Sequence, residues 1–69
     1  MTKSEAFRNL LQSQELNDEI ELMRKELTDL IINSDDDESS VREAAYVRIK
    51  AINEIMARFE SIAKDDEIK

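Results

Sequence analysis

The chain has 69 residues with no glycine, proline, cysteine or histidine, is 41% hydrophobic and 39% charged, and carries a net charge of −7. About five glycines and three prolines would be expected at average usage, and the tight turns of sheets lean on both, so β and α/β folds are excluded and long helices favoured. Without cysteine or histidine there are no disulfides, thiolate nucleophiles, catalytic triads or imidazole metal ligands, and no cofactor is expected.

The first predicted helix covers about residues 3–33. Thr2-Lys3-Ser4-Glu5 fits a capping box at its start, in which each end residue satisfies a backbone N–H of the other. Leu16, Ile20, Met23, Leu27 and Leu30 then repeat at spacings of 4, 3, 4 and 3, the period of one helix face. Phe7 and Leu11 point roughly opposite that stripe, with Leu10 between them. The change of face falls at Gln12-Ser13-Gln14. Either the stripe drifts here, or a short separate helix breaks near Ser13 and offers Phe7, Leu10 and Leu11 to a partner. Glu15, Asp18, Glu19, Glu21, Glu26 and Asp29 line the arc opposite the stripe, most simply as a solvated face.

A polar turn over about residues 34–39 follows, carrying Asp35, Asp36, Asp37 and Glu38. Hard cations take oxygen ligands, but a calcium loop of the EF-hand kind needs a central glycine and a glutamate at its twelfth position. Counted from Asp35, those positions hold Ser40 and Tyr46. The run therefore reads as a solvated turn before a helix, where acids favour the positive end of the helix dipole. No metal is expected.

The second predicted helix covers about residues 40–66, with Ser40-Val41-Arg42-Glu43 as its capping box. Val41, Ala45, Arg48, Ile52, Ile55, Phe59 and Ile62 form a heptad seam, widened by Ala44, Ile49, Ala51, Met56 and Ala63. Arg48 interrupts the seam. Its stem can lie along apolar surface with its head on Glu19 or Glu26 across the hairpin, or it can set oligomeric state, as single polar seam residues do.

Folding at the acidic turn gives an all-α, antiparallel two-helix hairpin forming one domain over residues 1–69. One partner helix cannot cover a stripe as wide as that of helix 2. Chains this small need staples, metal or oligomerisation. A homodimer forming a four-helix bundle is the economical solution, with Leu16, Ile20, Met23, Leu27, Leu30, Ala45, Arg48, Ile52, Ile55, Phe59 and Ile62 as its core.

Ile20-Glu21-Leu22-Met23-Arg24-Lys25-Glu26-Leu27, the polar turn and Ile52-Asn53-Glu54-Ile55 loosely resemble the small sporulation aspartyl-phosphate phosphatases. The resemblance implies a hairpin that acts on a response regulator. That family's Ser-Gln-Glu-Leu-Asp signature falls on Ile49-Lys50-Ala51-Ile52-Asn53, which lacks both the serine and the acid. The small repressor-of-primer proteins of plasmids share the length and hairpin shape. The basic residues of helix 2 are scattered, however, and clustered bases are what phosphate binding requires.

The expected function is a non-catalytic protein–protein interaction or regulatory module of a bacterial or phage accessory kind. Its candidate partner-binding residues are Phe7, Leu10 and Leu11 at one end and Asp35, Asp36, Asp37 and Glu38 at the other. The alternatives are the phosphatase-like hairpin and an acidic mimic of DNA that inhibits a nucleic-acid-binding protein. Direct nucleic-acid binding is not expected. The longest apolar run, Ala44 to Val47, is far short of the roughly 20 residues of a membrane span. With no apolar stretch behind Met1 to suggest a signal peptide, a cytoplasmic protein is expected.

Overall fold

A computed structural model describes residues 1–65. Among them the chain is all-helical and has no strand, with α1 spanning Lys3–Leu11, α2 Gln14–Ile32 and α3 Ser39–Ala63. The predicted capping box opens α1: Thr2 Oγ1 accepts from the Glu5 N–H and Glu5 Oε1 accepts from the Thr2 N–H, each at 3.1 Å.

The predicted single first helix is two helices. Ser13 is extended (φ −68°, ψ 120°) and its hydroxyl caps α2 by accepting from the Leu16 N–H at 3.3 Å. Asn17 Nδ2 donates to the carbonyls of Leu11 and Ser13, both at 2.9 Å. These two polar side chains provide the partners that a continuous helix would supply to itself, and the chain can change direction without leaving those groups unsatisfied.

After α2 the chain turns through residues 33–38. Arg42 reaches back from α3 into this turn, its Nη1 donating to the Asp35 carbonyl at 2.6 Å and to Ser34 Oγ at 3.1 Å. Glu38 Oε1 accepts from the Asp35 N–H at 2.8 Å. The capping box predicted at Ser40 and Glu43 is not the one used. Helix α3 begins at Ser39 with Glu38 as its N-cap and no side-chain cap bond, because Glu38 and Arg42 are engaged inside the turn. At the other end Lys64 is the C-cap. The helix thus ends at Ala63, short of the predicted end at about residue 66, which itself lies outside the described residues.

At 1.5 Å per residue α3 is about 38 Å long, while α1 and α2 laid end to end come to about 42 Å. That is how the three helices are arranged. Near the turn, Leu30 and Val41 line one crevice. At the far end, the Phe7 and Phe59 rings meet edge-on at 5.2 Å, and Arg8 Nη1 donates to the Ala63 carbonyl at 2.7 Å. Helices α1 and α2 thus form a broken strut running antiparallel along α3.

The result is a single layer measuring 51 × 22 × 12 Å, with a radius of gyration of 15.6 Å, against about 11 Å for a compact domain of this length. A layer leaves no large side chain fully enclosed among the described residues. Among the described residues only Ala45, Met56, Ala63 and Ser4 are buried. Small Ala45 and Ala63 let the helices approach, and flexible Met56 fills the space between them.

Candidate interaction surface

Along α3, Ala45, Met56 and Ala63 are buried and Ile49, Ile52 and Phe59 half-buried. Their spacings of 4, 3, 4, 3 and 4 mark the row that faces α1 and α2. This row is rotated from the predicted seam, for Arg48 and Ile55 are exposed, Ile55 at 52%. On α2 the half-buried row is Leu16, Ile20, Leu27 and Ile31, while Met23 and Leu30 are exposed.

The exposed residues of the predicted core do not scatter. Met23, Leu27 and Leu30 of α2 and Ala51, Ile52 and Ile55 of α3 line one groove of about 560 Å³ along the layer, with Glu26 and Arg48 beside them. Helical periodicity explains the gathering: Met23 and Leu30 flank the buried row of α2 on one side, and Arg48, Ala51 and Ile55 flank that of α3 on the matching side. On the other flank of α3, Lys50 Nζ sits 5.6 Å from the Tyr46 ring centroid. Helix α2 carries two ion pairs, half-buried Arg24 with exposed Glu21 and exposed Lys25 with half-buried Asp29, each at 2.8 Å. The hydrogen bond and the negative charge of Asp29 hold the Lys25 ammonium above its ordinary 10.5.

Predicted pairing of Arg48 with Glu19 or Glu26 within the hairpin is not formed. Among the described residues the Arg48 side chain makes no ion pair, although it and Glu26 line the same groove. Arg24 Nε is buried without a hydrogen-bond partner.

Of the other predicted partner-binding residues, Phe7 is half-buried against Phe59, Leu11 is half-buried and Leu10 is 40% exposed. The structure commits Phe7 to an internal pair and leaves Leu10 outermost of the three. In the turn, Asp35, Asp36 and Asp37 are exposed and Glu38 is half-buried. The Asp35 and Asp36 carbonyls face Arg42 Nη1 and Nη2 at 2.6 and 3.5 Å. No group of three or more acidic side chains among the described residues could hold a metal ion, and no helix there is long and apolar enough to cross a membrane.

Sequence reasoning had most of the groove residues but assigned them to a continuous seam. It missed which of them the monomer leaves open. The spacing of Ala45, Ile49, Met56 and Ala63 at helical period was the available signal for the inward row. The chain matches no protein-family model, no curated protein and no solved structure at a significant level.

Proposed function

We propose that the chain is a non-catalytic protein–protein interaction or regulatory module whose working surface is the open face of the α2/α3 layer. A second copy covers this face, and the pair forms a bundle that is four helices in cross-section, with α3 and the α1/α2 strut of each copy as its members. The observation that carries this reading is the groove itself. It gathers Met23, Leu30 and Ile55, which are 39, 46 and 52% exposed, along one side of a layer 12 Å thick.

Area supports the same conclusion. The chain exposes 5462 Å², whereas a compact monomer of this mass exposes about 4,450 Å². The excess of about 1,000 Å² compares with the roughly 800 Å² that each partner buries in an ordinary stable interface. The lack of histidine and cysteine, and the shallow, open shape of a single layer, support a module that acts by binding. Catalysis needs groups held in a desolvated site.

Sedimentation equilibrium at micromolar concentration tests the self-association, with twice the chain mass of 8.0 kDa expected. A well-folded monomer overturns it. Incubation with phosphorylated response regulators tests the absence of catalysis, and accelerated phosphate release overturns that assignment.

A further inference from the structure

We propose a defined orientation for the pair: α2 of each copy lies over α3 of the other, about a two-fold axis parallel to the helices, and Arg48 of each copy meets the partner's Glu26. This deepens the self-association proposed above and rests on it.

Three observations carry the orientation. Glu26 and Arg48 stand on opposite walls of the same groove, both exposed, and neither side chain makes a hydrogen bond or ion pair among the described residues. Rotation about an axis along the helices preserves height, so groups level with each other across the groove in one copy come into opposition between copies. Each contact then occurs twice, as an isologous interface requires.

The second observation is the charge of the helices. Over its 19 residues α2 carries six acids and two bases, a net of −4, and over its 25 residues α3 carries four bases and three acids, a net of +1. An axis across the helices would stack α2 on α2, setting −4 against −4. The axis along them sets −4 against +1 on both sides, and like charges brought together at an interface disfavour the wrong arrangement.

The third is shape. Met23 and Leu30 of α2 and small Ala51 of α3 line the same groove, so laying α2 over α3 brings long side chains of one copy onto a wall of the other that holds a small residue among larger ones, as interdigitated layers need.

Charge reversal in trans tests the proposal. Arg48→Glu and Glu26→Arg are made as separate full-length variants, with circular dichroism verifying that each is folded. Each alone should weaken self-association by about 10- to 100-fold, since two like-charge contacts replace two favourable ones. An equimolar mixture of the two variants should restore wild-type association, because in the mixed dimer both contacts again join opposite charges. The variant carrying both changes in one chain should also associate like wild type, and it controls for tolerance of the substitutions. A pair formed only within one chain is rescued by that double variant and not by mixing. A dimeric wild type whose variants show no rescue on mixing overturns the orientation and leaves self-association standing. A monomeric wild type overturns the self-association on which it rests.

Discussion

Substituting Phe7 by alanine should release α1 from the rest of the molecule. Helix α1 has only nine residues, and isolated helices shorter than about 12–15 residues are marginal in water, so its helicity depends on docking. Its attachments include the edge-on ring contact with Phe59 at 5.2 Å, the Arg8 bond to the Ala63 carbonyl at 2.7 Å, the Asn17 bond to the Leu11 carbonyl at 2.9 Å and the packing around buried Ser4. Removing a fully buried phenylalanine costs about 3–5 kcal/mol. Phe7 is half-buried, so Phe7→Ala should cost about 2 kcal/mol, enough to undock a helix this short. About one sixth of the described helical residues lie in α1, and far-UV ellipticity should fall by about that fraction. Amides of residues 3–11 should lose exchange protection while those of α3 between Ala45 and Met56 keep theirs. In a double-mutant cycle, the coupling of Phe7→Ala with Phe59→Ala should be about 0.5–1.5 kcal/mol, the worth of an aromatic pair beyond its burial. Full helicity and protection in residues 3–11 of Phe7→Ala, with no coupling to Phe59, would refute the reasoning.

Arg42→Ala should lower stability to urea by about 1–2 kcal/mol, since it removes charge-assisted bonds to the turn. Arg42→Lys should recover little, because one ammonium cannot reproduce the forked contact. Asp37→Ala in the same turn should cost under about 1 kcal/mol in the same assay, as surface changes do. Ser13→Ala should cost about 1 kcal/mol through loss of the α2 cap, measured by thermal unfolding. Arg24→Met should leave stability unchanged or raise it by up to about 1 kcal/mol, because it removes a buried donor without a partner. For Lys25, the raised folded value means that its small contribution is present below the ordinary 10.5 and is lost as pH climbs through the folded value. NMR titration of Asp29→Asn should return Lys25 to about its ordinary value.

Local rules made the ends of the elements legible where a side chain bonds its own neighbourhood. Thr2 and Glu5 form the capping box that their spacing promises. Ser40 and Glu43 have the same spacing and form no such cap, because the helix begins one residue earlier, at Ser39 with Glu38 as N-cap, while Arg42 reaches back into the turn. Nothing in a four-residue pattern reveals that earlier start. The break at Ser13 was visible only as a change of face. The bond from Asn17 to the Leu11 carbonyl spans six residues and lies outside any cap pattern. The heptad seam of α3 was displaced by about one position, with Ile49 and Met56 turned inward and Arg48 and Ile55 left outside. Which flank of an over-wide stripe faces inward depends on what the stripe meets, and one copy of the chain meets it on a single side only.

The break at Gln12 and Ser13 also sets an expected order for the events of folding. Helices α2 and α3 are joined by a short turn, so their contacts near Leu30 and Val41 close a loop of about ten residues, and such loops close in about 10–100 ns. Contact between Arg8 and Ala63 spans 55 positions, and loop-closure entropy rises with the logarithm of that span. Helix α1 cannot offset that entropy by its own growth, because Ser13 separates it from α2 and no helical turn propagates across. Its docking is therefore expected after the rate-limiting barrier. Substitutions at Phe7 should speed unfolding and leave the folding rate almost untouched, whereas those at Leu30 or Val41 should slow folding itself.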